Sequence, residues 1–158
     1  MSKIIIYTDG AAKGNPGPGG YGVVMKFGDF RKEFSQGFRK TTNNRMELLA
    51  VIIALEKIKK ALPVKIYSDS KYVIDSIQKG WLFNWQKKGF KGKKNQDLWT
   101  RYLSLHYKFK IEYQWVKGHA GNIENERCDE LAVEAAEGNA LNNDGLLTDE
   151  GFESGLFN

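Results

Sequence analysis

The hydrophobic positions of this chain fall first into short runs and then into longer periodic segments. Residues 4–9 form a short run of mostly apolar and β-branched residues, which predicts a buried strand. Residues 21–27 and 30–38 predict two further strands joined by a tight turn. Residues 10–20, which lie before the second strand, contain several Gly and two Pro residues and predict a loop.

Helical and strand patterns alternate in the rest of the chain. Apolar residues at three- and four-residue spacing predict a long helix over residues 44–62, which Pro63 should end. The further predictions are a strand at 64–69, a helix at 70–79, a helix at 97–107, a strand at 110–116 and a last helix at 124–137. Connections that contain helices join parallel strands, so the pattern predicts an α/β fold with a mixed sheet flanked by helices.

Length and composition agree with a single globular domain. The chain has 158 residues, of which 41% are hydrophobic and 27% are charged. After residue 137 the periodicity is lost and the chain turns to Asn, Asp, Gly and Ser. We therefore expect one domain over residues 1–137 and an acidic, poorly ordered tail over residues 138–158.

The sequence has none of the features of a membrane or secreted protein. No apolar run approaches the ~20 residues needed to span a bilayer, and the N-terminus enters a strand-like run without a leader segment. Cys128 is the only cysteine, which excludes an internal disulfide and a cysteine metal cluster. We expect a cytoplasmic protein.

The net charge of +5 is unevenly distributed. The last 21 residues hold four acidic residues and no Lys or Arg, so the preceding part of the chain carries +9, which favours a polyanionic partner. Residues 80–96 hold five lysines and four aromatic residues but no acid. They form either an amphipathic segment with its rings packed inward or a surface that follows phosphates with one or two exposed rings. The nucleic-acid contacts predicted here are Trp81, Trp85, Lys87 and Lys88.

Two predicted strands share a pattern that ends in a carboxylate. Residues 5–10 and 65–70 each contain an apolar residue, Tyr, a hydroxyl residue, Asp and a small residue, in that order. Ligands of open α/β sheets bind outside the carboxyl ends of the strands. If the strands are neighbours, Asp9 and Asp69 would face one crevice and could share a divalent cation. Either residue alone is more typical of a turn or a helix cap.

Three further candidates have ordinary structural alternatives. Glu47 follows Asn44 by three residues, which is also the spacing of a helix-capping box. Asp129 lies in a helical segment rich in both charges, where a solvated, salt-bridged face is usual. His119 lies between glycines in a loop that would expose a titratable ring, although a loop histidine is often only solvated. Spacing alone does not separate these alternatives.

Eight short motifs occur in order along residues 1–137. They are YTDG at 7–10, GNPGPGGYG at 14–22, TTNNRMEL at 41–48, SDS at 68–70, WLFNW at 81–85, DLW at 97–99, WVKGHAG at 115–121 and ENERCD at 124–129. The ordered set resembles type 1 ribonuclease H of the bacterial kind. The chain departs from that family at residues 89–95, which are shorter than its usual basic protrusion and predict weaker hybrid binding. It also departs after residue 137, where the tail matches no family motif.

The resemblance implies a ribonuclease H-like fold and a set of site residues. The implied fold is a five-stranded mixed sheet, with three antiparallel N-terminal strands and two further parallel strands, flanked by helices. The implied active-site carboxylates are Asp9, Glu47, Asp69 and Asp129, and the implied catalytic-loop histidine is His119. The implied nucleic-acid contacts are Asn15, Thr42, Asn43 and Asn44, with Thr42 on a DNA phosphate.

The implied activity is metal-dependent endonucleolytic hydrolysis of the RNA strand of RNA–DNA hybrids, which leaves 5′-phosphate and 3′-hydroxyl ends. Two Mg²⁺ ions about 3.5–4 Å apart would activate water and compensate the charge that develops at phosphorus. The four carboxylates would hold these ions, and Mn²⁺ is the expected substitute. His119 is a poor ligand for Mg²⁺ and would instead shuttle a proton or help to release product. We expect a monomer with no obligate protein partner.

Two other functions compete with this interpretation. The first is a non-catalytic module that binds hybrid or duplex RNA, but clustered carboxylates would repel a phosphate backbone. The second is a transposase-like or resolvase-like DNA nuclease of the same superfold. The Gly-rich residues 10–22, which we expect to approach a wide minor groove and its 2′-hydroxyls, disfavour that alternative. They do not form a nucleotide-binding loop, because both the Rossmann and the Walker spacings are absent.

Overall fold

A computed structural model describes residues 2–145 of the chain. Its strands are β1 (Ile4–Ala12), β2 (Gly17–Phe27), β3 (Phe30–Thr41), β4 (Val64–Ser68), β5 (Ile111–Trp115) and β6 (Leu141–Asn142). Its helices are α1 (Asn43–Glu56), α2 (Lys71–Gln78), α3 (Trp81–Lys87), α4 (Gln96–His106) and α5 (Ile123–Glu137). None of these helices is both long and apolar enough to cross a membrane.

The strands form one mixed sheet in the order β5-β4-β1-β2-β3-β6. β1, β2 and β3 are antiparallel neighbours, whereas β4 runs parallel to β1 and β5 runs parallel to β4. The predicted arrangement of three antiparallel and two parallel strands is therefore confirmed. The sheet has a sixth strand, because β6 pairs in parallel with β3 through Gly37 and Phe38.

The sixth strand lies in the segment that was expected to be a poorly ordered tail. That expectation does not hold for residues 138–145. Asp144 is 3% exposed, and its Oδ2 lies 2.9 Å from Nε of Arg45. Backbone pairing and one buried ion pair hold this segment in place, and neither produces hydrophobic periodicity in the sequence. The remaining residues of the predicted tail, 146–158, lie outside the described residues.

The Gly-rich segment is a hairpin rather than a long loop. β1 continues to Ala12 and β2 begins at Gly17, so only residues 13–16 connect the two strands. Gly22 shows why glycines occur here, because a Cβ at this position would lie 2.2 Å from the carbonyl oxygen of Cys128. The bare backbone of β2 therefore allows α5 to lie directly on the sheet. Local propensity predicted a loop, but tertiary packing decides the structure.

α1 is the central buried helix, and it is shorter than predicted. It covers Asn43–Glu56, and the helix that was expected to extend to residue 62 ends six residues earlier. Ile58 and Leu62 still pack against the hydrophobic core, although they lie outside the helix. The chain has to turn back after the helix because the next strand begins beside Ile4, whose backbone N–H donates to the carbonyl of Pro63 at 2.9 Å.

Candidate active site

β1 and β4 bring two carboxylates to the same edge of the sheet. The two strands pair in parallel in a register that sets Thr8 beside Ser68. The next residue along each strand is an aspartate, so Asp9 and Asp69 lie side by side. Asp69 follows the end of β4, whereas β1 continues beyond Asp9 to Ala12, so the predicted strand end at Asp9 is wrong. The prediction that the two acids come from neighbouring strands is confirmed.

Glu47 joins these aspartates from α1. The N-cap of α1 is Thr42, whose side chain accepts a hydrogen bond from the backbone N–H of Arg45 at 3.2 Å. The capping-box alternative with Asn44 at the N-cap is therefore wrong, and Glu47 lies in the second turn and is 6% exposed. Gly10 permits this approach, because a Cβ there would lie 2.3 Å from the backbone nitrogen of Glu47.

The three carboxylates form a cluster that suits a divalent cation. Asp9, Glu47 and Asp69 each offer one oxygen, and these oxygens lie within 4.8 Å of one another. Oε1 of Glu47 and Oδ1 of Asp69 are buried and have no hydrogen-bond partner within residues 2–145. Unsatisfied buried carboxylate oxygens are costly in a protein, and hard cations such as Mg²⁺ prefer oxygen ligands. The donor set therefore fits a divalent metal ion.

Burial and mutual repulsion make this cluster reluctant to carry its full negative charge. Burial raises the pKa of the Asp9 carboxyl to about 8, and the neighbouring charge of Asp69 adds to the rise. Burial also raises the pKa of Glu47 well above its ordinary value, again with help from the two aspartates. The pKa of Asp69 is raised mainly by burial. A bound cation would reverse this preference by stabilising the ionised forms.

The fourth predicted carboxylate, Asp129, lies at the rim of the cluster. It is a half-buried residue of α5, the helix that packs on β1 and β2. Asp129 is outside the group of three mutually close oxygens, but its negative charge contributes to the raised pKa values of Asp9 and Asp69. It is therefore near enough to interact electrostatically with both aspartates.

The loop after β5 passes over Asp69. The backbone N–H of Val116 donates to the carbonyl of Ser68 at 2.9 Å, which extends the pairing of the two parallel strands. Gly118 lies against the Asp69 carboxylate, since a Cβ at this residue would be 2.7 Å from Oδ2. His119 follows directly, is exposed and has a φ of 56°, which is unusual for a residue with a side chain. The histidine is thus held on a bent loop next to the acidic cluster.

The predicted nucleic-acid contacts fall into two groups. Thr42 is half-buried, and Asn43 and Asn44 are exposed at the start of α1. At the helical rise of about 1.5 Å per residue, Thr42 lies about 7.5 Å along the axis from Glu47. Asn15 is exposed in the connection between β1 and β2.

The second group lies on α3 and the basic segment that follows it. Trp81 is 43% exposed, whereas Trp85 is half-buried and packs edge-on against Trp99 at 6.1 Å between ring centroids. Lys87 and Lys88 are exposed. A cavity of about 220 Å³ is lined by Trp81, Asn84, Trp85, Lys88, Lys91 and Lys93. One ring is thus packed inward and another lies at the surface among lysines, and the role of this surface in following phosphates stays a prediction.

Two residues that shape the site were not predicted from the sequence. Trp115 donates its indole N–H to the carbonyl of Asp69 at 3.1 Å, and Lys71 lies 4.1 Å above its ring. Arg45 is 1% exposed, although it lies between two predicted substrate contacts and Glu47. A charged residue next to the apolar run of a buried helix is the signal that could have marked Arg45 as part of a buried ion pair.

Buried acidic side chains that converge beside the central strands of a sheet are typical of an enzyme that uses a divalent metal ion. The family model of RNase H matches residues 1–137 of the chain. The chain therefore belongs to the ribonuclease H family, and its relatives place it with the bacterial type.

Relatives and solved structures are similar over most of their length. A ribonuclease H of Desulforamulus reducens is 55% identical over 141 residues, which cover 86% of this chain and 89% of that protein. A ribonuclease H of Rippkaea orientalis is 47% identical and covers 96% of both chains. Among solved structures, LC9-RNase H1, a type 1 RNase H with the type 2 active-site motif, has a TM-score of 0.77 at 27% identity and covers 98% of this chain and 85% of its own. LC11-RNase H1 in complex with RNA/DNA hybrid has a TM-score of 0.62 at 30% identity, and the match covers 85% of this chain and 97% of that chain.

Proposed function

We propose that this chain is an endonuclease that hydrolyses the RNA strand of RNA–DNA hybrids and leaves 5′-phosphate and 3′-hydroxyl ends. The observation that carries the proposal is the cluster of Asp9, Glu47 and Asp69, which β1, α1 and the residue after β4 bring together. Family membership and the hybrid complex of LC11-RNase H1 support the choice of substrate.

Two Mg²⁺ ions are the proposed cofactor, with Mn²⁺ as a substitute. Asp9, Glu47, Asp69 and Asp129 would hold them, because the first three offer converging oxygens and the fourth lies at the rim. Bound in this way, the ions would activate a water molecule and compensate the charge that develops on the phosphate.

The protein side chains supply position and proton transfer. Asp9 and Glu47 are buried, so their carboxylates are held in place by packing rather than by solvent. The exposed ring of His119 lies on the loop beside Asp69, where it would carry a proton to or from the reacting phosphate or help to release product.

Substrate selection would come from the two groups of predicted contacts. Thr42 would donate to a phosphate of the DNA strand, and Asn15, Asn43 and Asn44 would contact the minor groove, whose 2′-hydroxyls distinguish RNA from DNA. The surface with Trp81, Trp85, Lys87 and Lys88 would follow the phosphates of the DNA strand further along the duplex.

The proposed enzyme acts as a cytoplasmic monomer on its hybrid substrate. Its catalytic unit comprises residues 1–137, as predicted, together with the packed residues 138–145. A non-catalytic hybrid-binding module is the second candidate, and the buried, unsatisfied oxygens of Glu47 and Asp69 weigh against it. Such oxygens would repel a phosphate backbone unless a cation lies between them.

Cleavage of three end-labelled duplexes tests the proposal. An RNA–DNA hybrid, a DNA duplex and an RNA duplex of the same sequence are incubated with the protein, with Mg²⁺ or with EDTA. We expect internal cuts in the RNA of the hybrid only, in the presence of Mg²⁺, and product ends that a ligase specific for 5′-phosphates accepts. Binding of the hybrid without cutting would support the non-catalytic module, and cutting of the DNA duplex would support a DNA nuclease.

A further inference from the structure

Asp144 is a buried acidic residue in the segment beyond the family match. It is 3% exposed and follows β6 by two residues. Its Oδ2 accepts a hydrogen bond from the hydroxyl of Thr41 at 2.5 Å and lies 2.9 Å from Nε of Arg45. Its Oδ1 accepts from Nη2 of Arg45 at 3.1 Å. One carboxylate thus holds residues on both sides of Thr42.

Arg45 has no freedom to turn away from this arrangement. A guanidinium has five N–H donors, and Arg45 makes five hydrogen bonds. Besides Asp144, its partners are both carboxylate oxygens of Asp97, at 2.8 and 2.6 Å, and the side-chain oxygen of Asn95 at 3.3 Å. Two carboxylates from distant parts of the chain therefore fix one arginine in the first turn of α1.

This arrangement determines how Thr42 presents its hydroxyl. The oxygen of Thr42 accepts the backbone N–H of Arg45 at 3.2 Å, so its own proton remains available to donate outward. Thr41 precedes it, is fully buried and donates its own hydroxyl to Asp144. The side chains of Thr41 and Arg45, on either side of Thr42, are thus held by the same carboxylate.

We propose that Asp144 is a positioning residue for substrate binding, which fixes the turn from Thr41 to Arg45 so that Thr42 meets a phosphate of the DNA strand. The proposal rests on the proposed function and extends it to a segment outside the family match. Asp144 touches neither the substrate nor the acidic cluster in this scheme. It acts through Thr42, so replacing it should affect binding of the hybrid rather than the chemical step.

The test measures hybrid cleavage by Asp144→Asn at saturating Mg²⁺. We expect KM to rise roughly tenfold, as for the removal of one well-placed hydrogen bond to a charged group, with kcat within about twofold of the wild type. Thr41→Val removes only the hydroxyl hydrogen bond, and we expect KM to rise roughly threefold.

A double-mutant cycle separates positioning from simple stabilisation. If Asp144 acts through Thr42, the rise in KM caused by Asp144→Asn should largely disappear in a Thr42→Ala background. If Asp144 had only a structural role, the two substitutions would act independently and their fold-changes in KM would multiply. Glu56→Gln is the matched control, because it breaks another carboxylate–arginine pair, with Arg101 at 2.6 Å, at the opposite end of α1. It should leave KM unchanged.

The outcomes are distinct. A folded Asp144→Asn protein with wild-type KM, or multiplying effects in the cycle, would overturn the proposal. If Asp144→Asn does not fold, Thr41→Val decides, since it keeps the ion pair with Arg45, and an unchanged KM would overturn the proposal there too. A wild-type protein that leaves the hybrid intact would instead reject the proposed function itself.

Discussion

At the scale of single residues, the burial of like charges is the main feature of the site. Asp9 and Glu47 are about as buried as core leucines, yet they lie beside each other and beside Asp69. Such an arrangement lowers the stability of the metal-free protein and is retained because the site needs it. The same residues that would hold the metal ions therefore determine how stability depends on pH.

Asp9→Asn should stabilise the metal-free protein at neutral and mildly alkaline pH. The folded-state pKa of Asp9 is raised to about 8, above its ordinary value near 4, so between these limits the folded chain binds more protons than the unfolded chain. Stability therefore falls as pH rises through this window. Removing the ionisable group should raise the free energy of unfolding by on the order of 5 kcal/mol at pH 8, at about 1.4 kcal/mol per unit of pKa difference, and have little effect near pH 4. Denaturant unfolding in EDTA at both pH values measures this, and a less stable variant at pH 8 would contradict it.

His119→Ala should slow hybrid cleavage without abolishing it. The histidine is exposed on its loop and lies outside the acidic cluster, so the substitution removes a proton carrier and leaves the metal ligands intact. We expect kcat to fall roughly 10²-fold, with little change in KM. Added imidazole should restore part of the rate of the variant. A variant rate equal to that of the wild type would show that His119 has no role in catalysis.

At the scale of elements, the positions of the site strands could be predicted and several boundaries could not. The shared pattern around Asp9 and Asp69 identified both strands, because buried strands and their terminal carboxylates are local features of the sequence. Glu47 and Asp129 had equally good local explanations, so only the family resemblance selected them. The capping interpretation of Glu47 failed because the N-cap is Thr42 rather than Asn44.

The misjudged elements depend on contacts between distant residues. Most of the Gly-rich segment is paired in the sheet, and the bare backbone of Gly22 lets α5 pack directly on it. β6 and Asp144 lie in a segment without periodicity, and the partner that buries Asp144 is Arg45, which lies 99 residues earlier. No local sequence pattern predicts an ion pair between residues so far apart in the chain. α1 ends before residue 62 because the chain has to turn back to reach the start of β4. The apolar spacing of the sequence does not predict where that turn begins.

Gly10→Ala should show how closely α1 and β1 have to approach. A Cβ at Gly10 would lie 2.3 Å from the backbone nitrogen of Glu47, and backbone atoms of this kind do not yield as a flexible side chain would. We expect stability to fall by about 3 kcal/mol and the response to Mg²⁺ to weaken, because Glu47 is displaced from the aspartates. Gly138→Ala is the control, since the nearest atom to its Cβ is 3.4 Å away. Equal effects of the two substitutions on unfolding would contradict the prediction.

At the scale of the whole molecule, charge is divided between a basic body and an acidic site. The chain carries a net charge of +5, while three acids are concentrated at one edge of the sheet. Another part of the chain, residues 81–93, forms a basic surface that we call the α3 surface. Its Lys88, Lys91 and Lys93 line a cavity together with Trp81 and Trp85. A positive surface that attracts the duplex and a negative site that requires cations together agree with a nuclease.

Replacing Lys87, Lys88 and Lys91 with Ala should weaken hybrid binding in a salt-dependent way. We expect KM to rise and the slope of log affinity against log salt to fall by about 0.7–0.9 for each phosphate that these lysines neutralise, with kcat unchanged. A second triple variant at Lys59, Lys60 and Lys108, which are also exposed, removes the same charge from other parts of the surface. If both variants change the slope equally, the α3 surface has no specific role.

The central claim is that three converging carboxylates bind the metal ions that cut hybrid RNA. Its most direct test is the initial rate of RNA-strand cleavage as Mg²⁺ is titrated, for the wild type and for Asp9→Asn, Glu47→Gln and Asp69→Asn. We predict a Mg²⁺-dependent rate for the wild type and a rate lower by about 10³-fold or more in each variant, with the fold retained by circular dichroism. A wild-type rate in any of the three variants, or undiminished cleavage in EDTA, would contradict this claim.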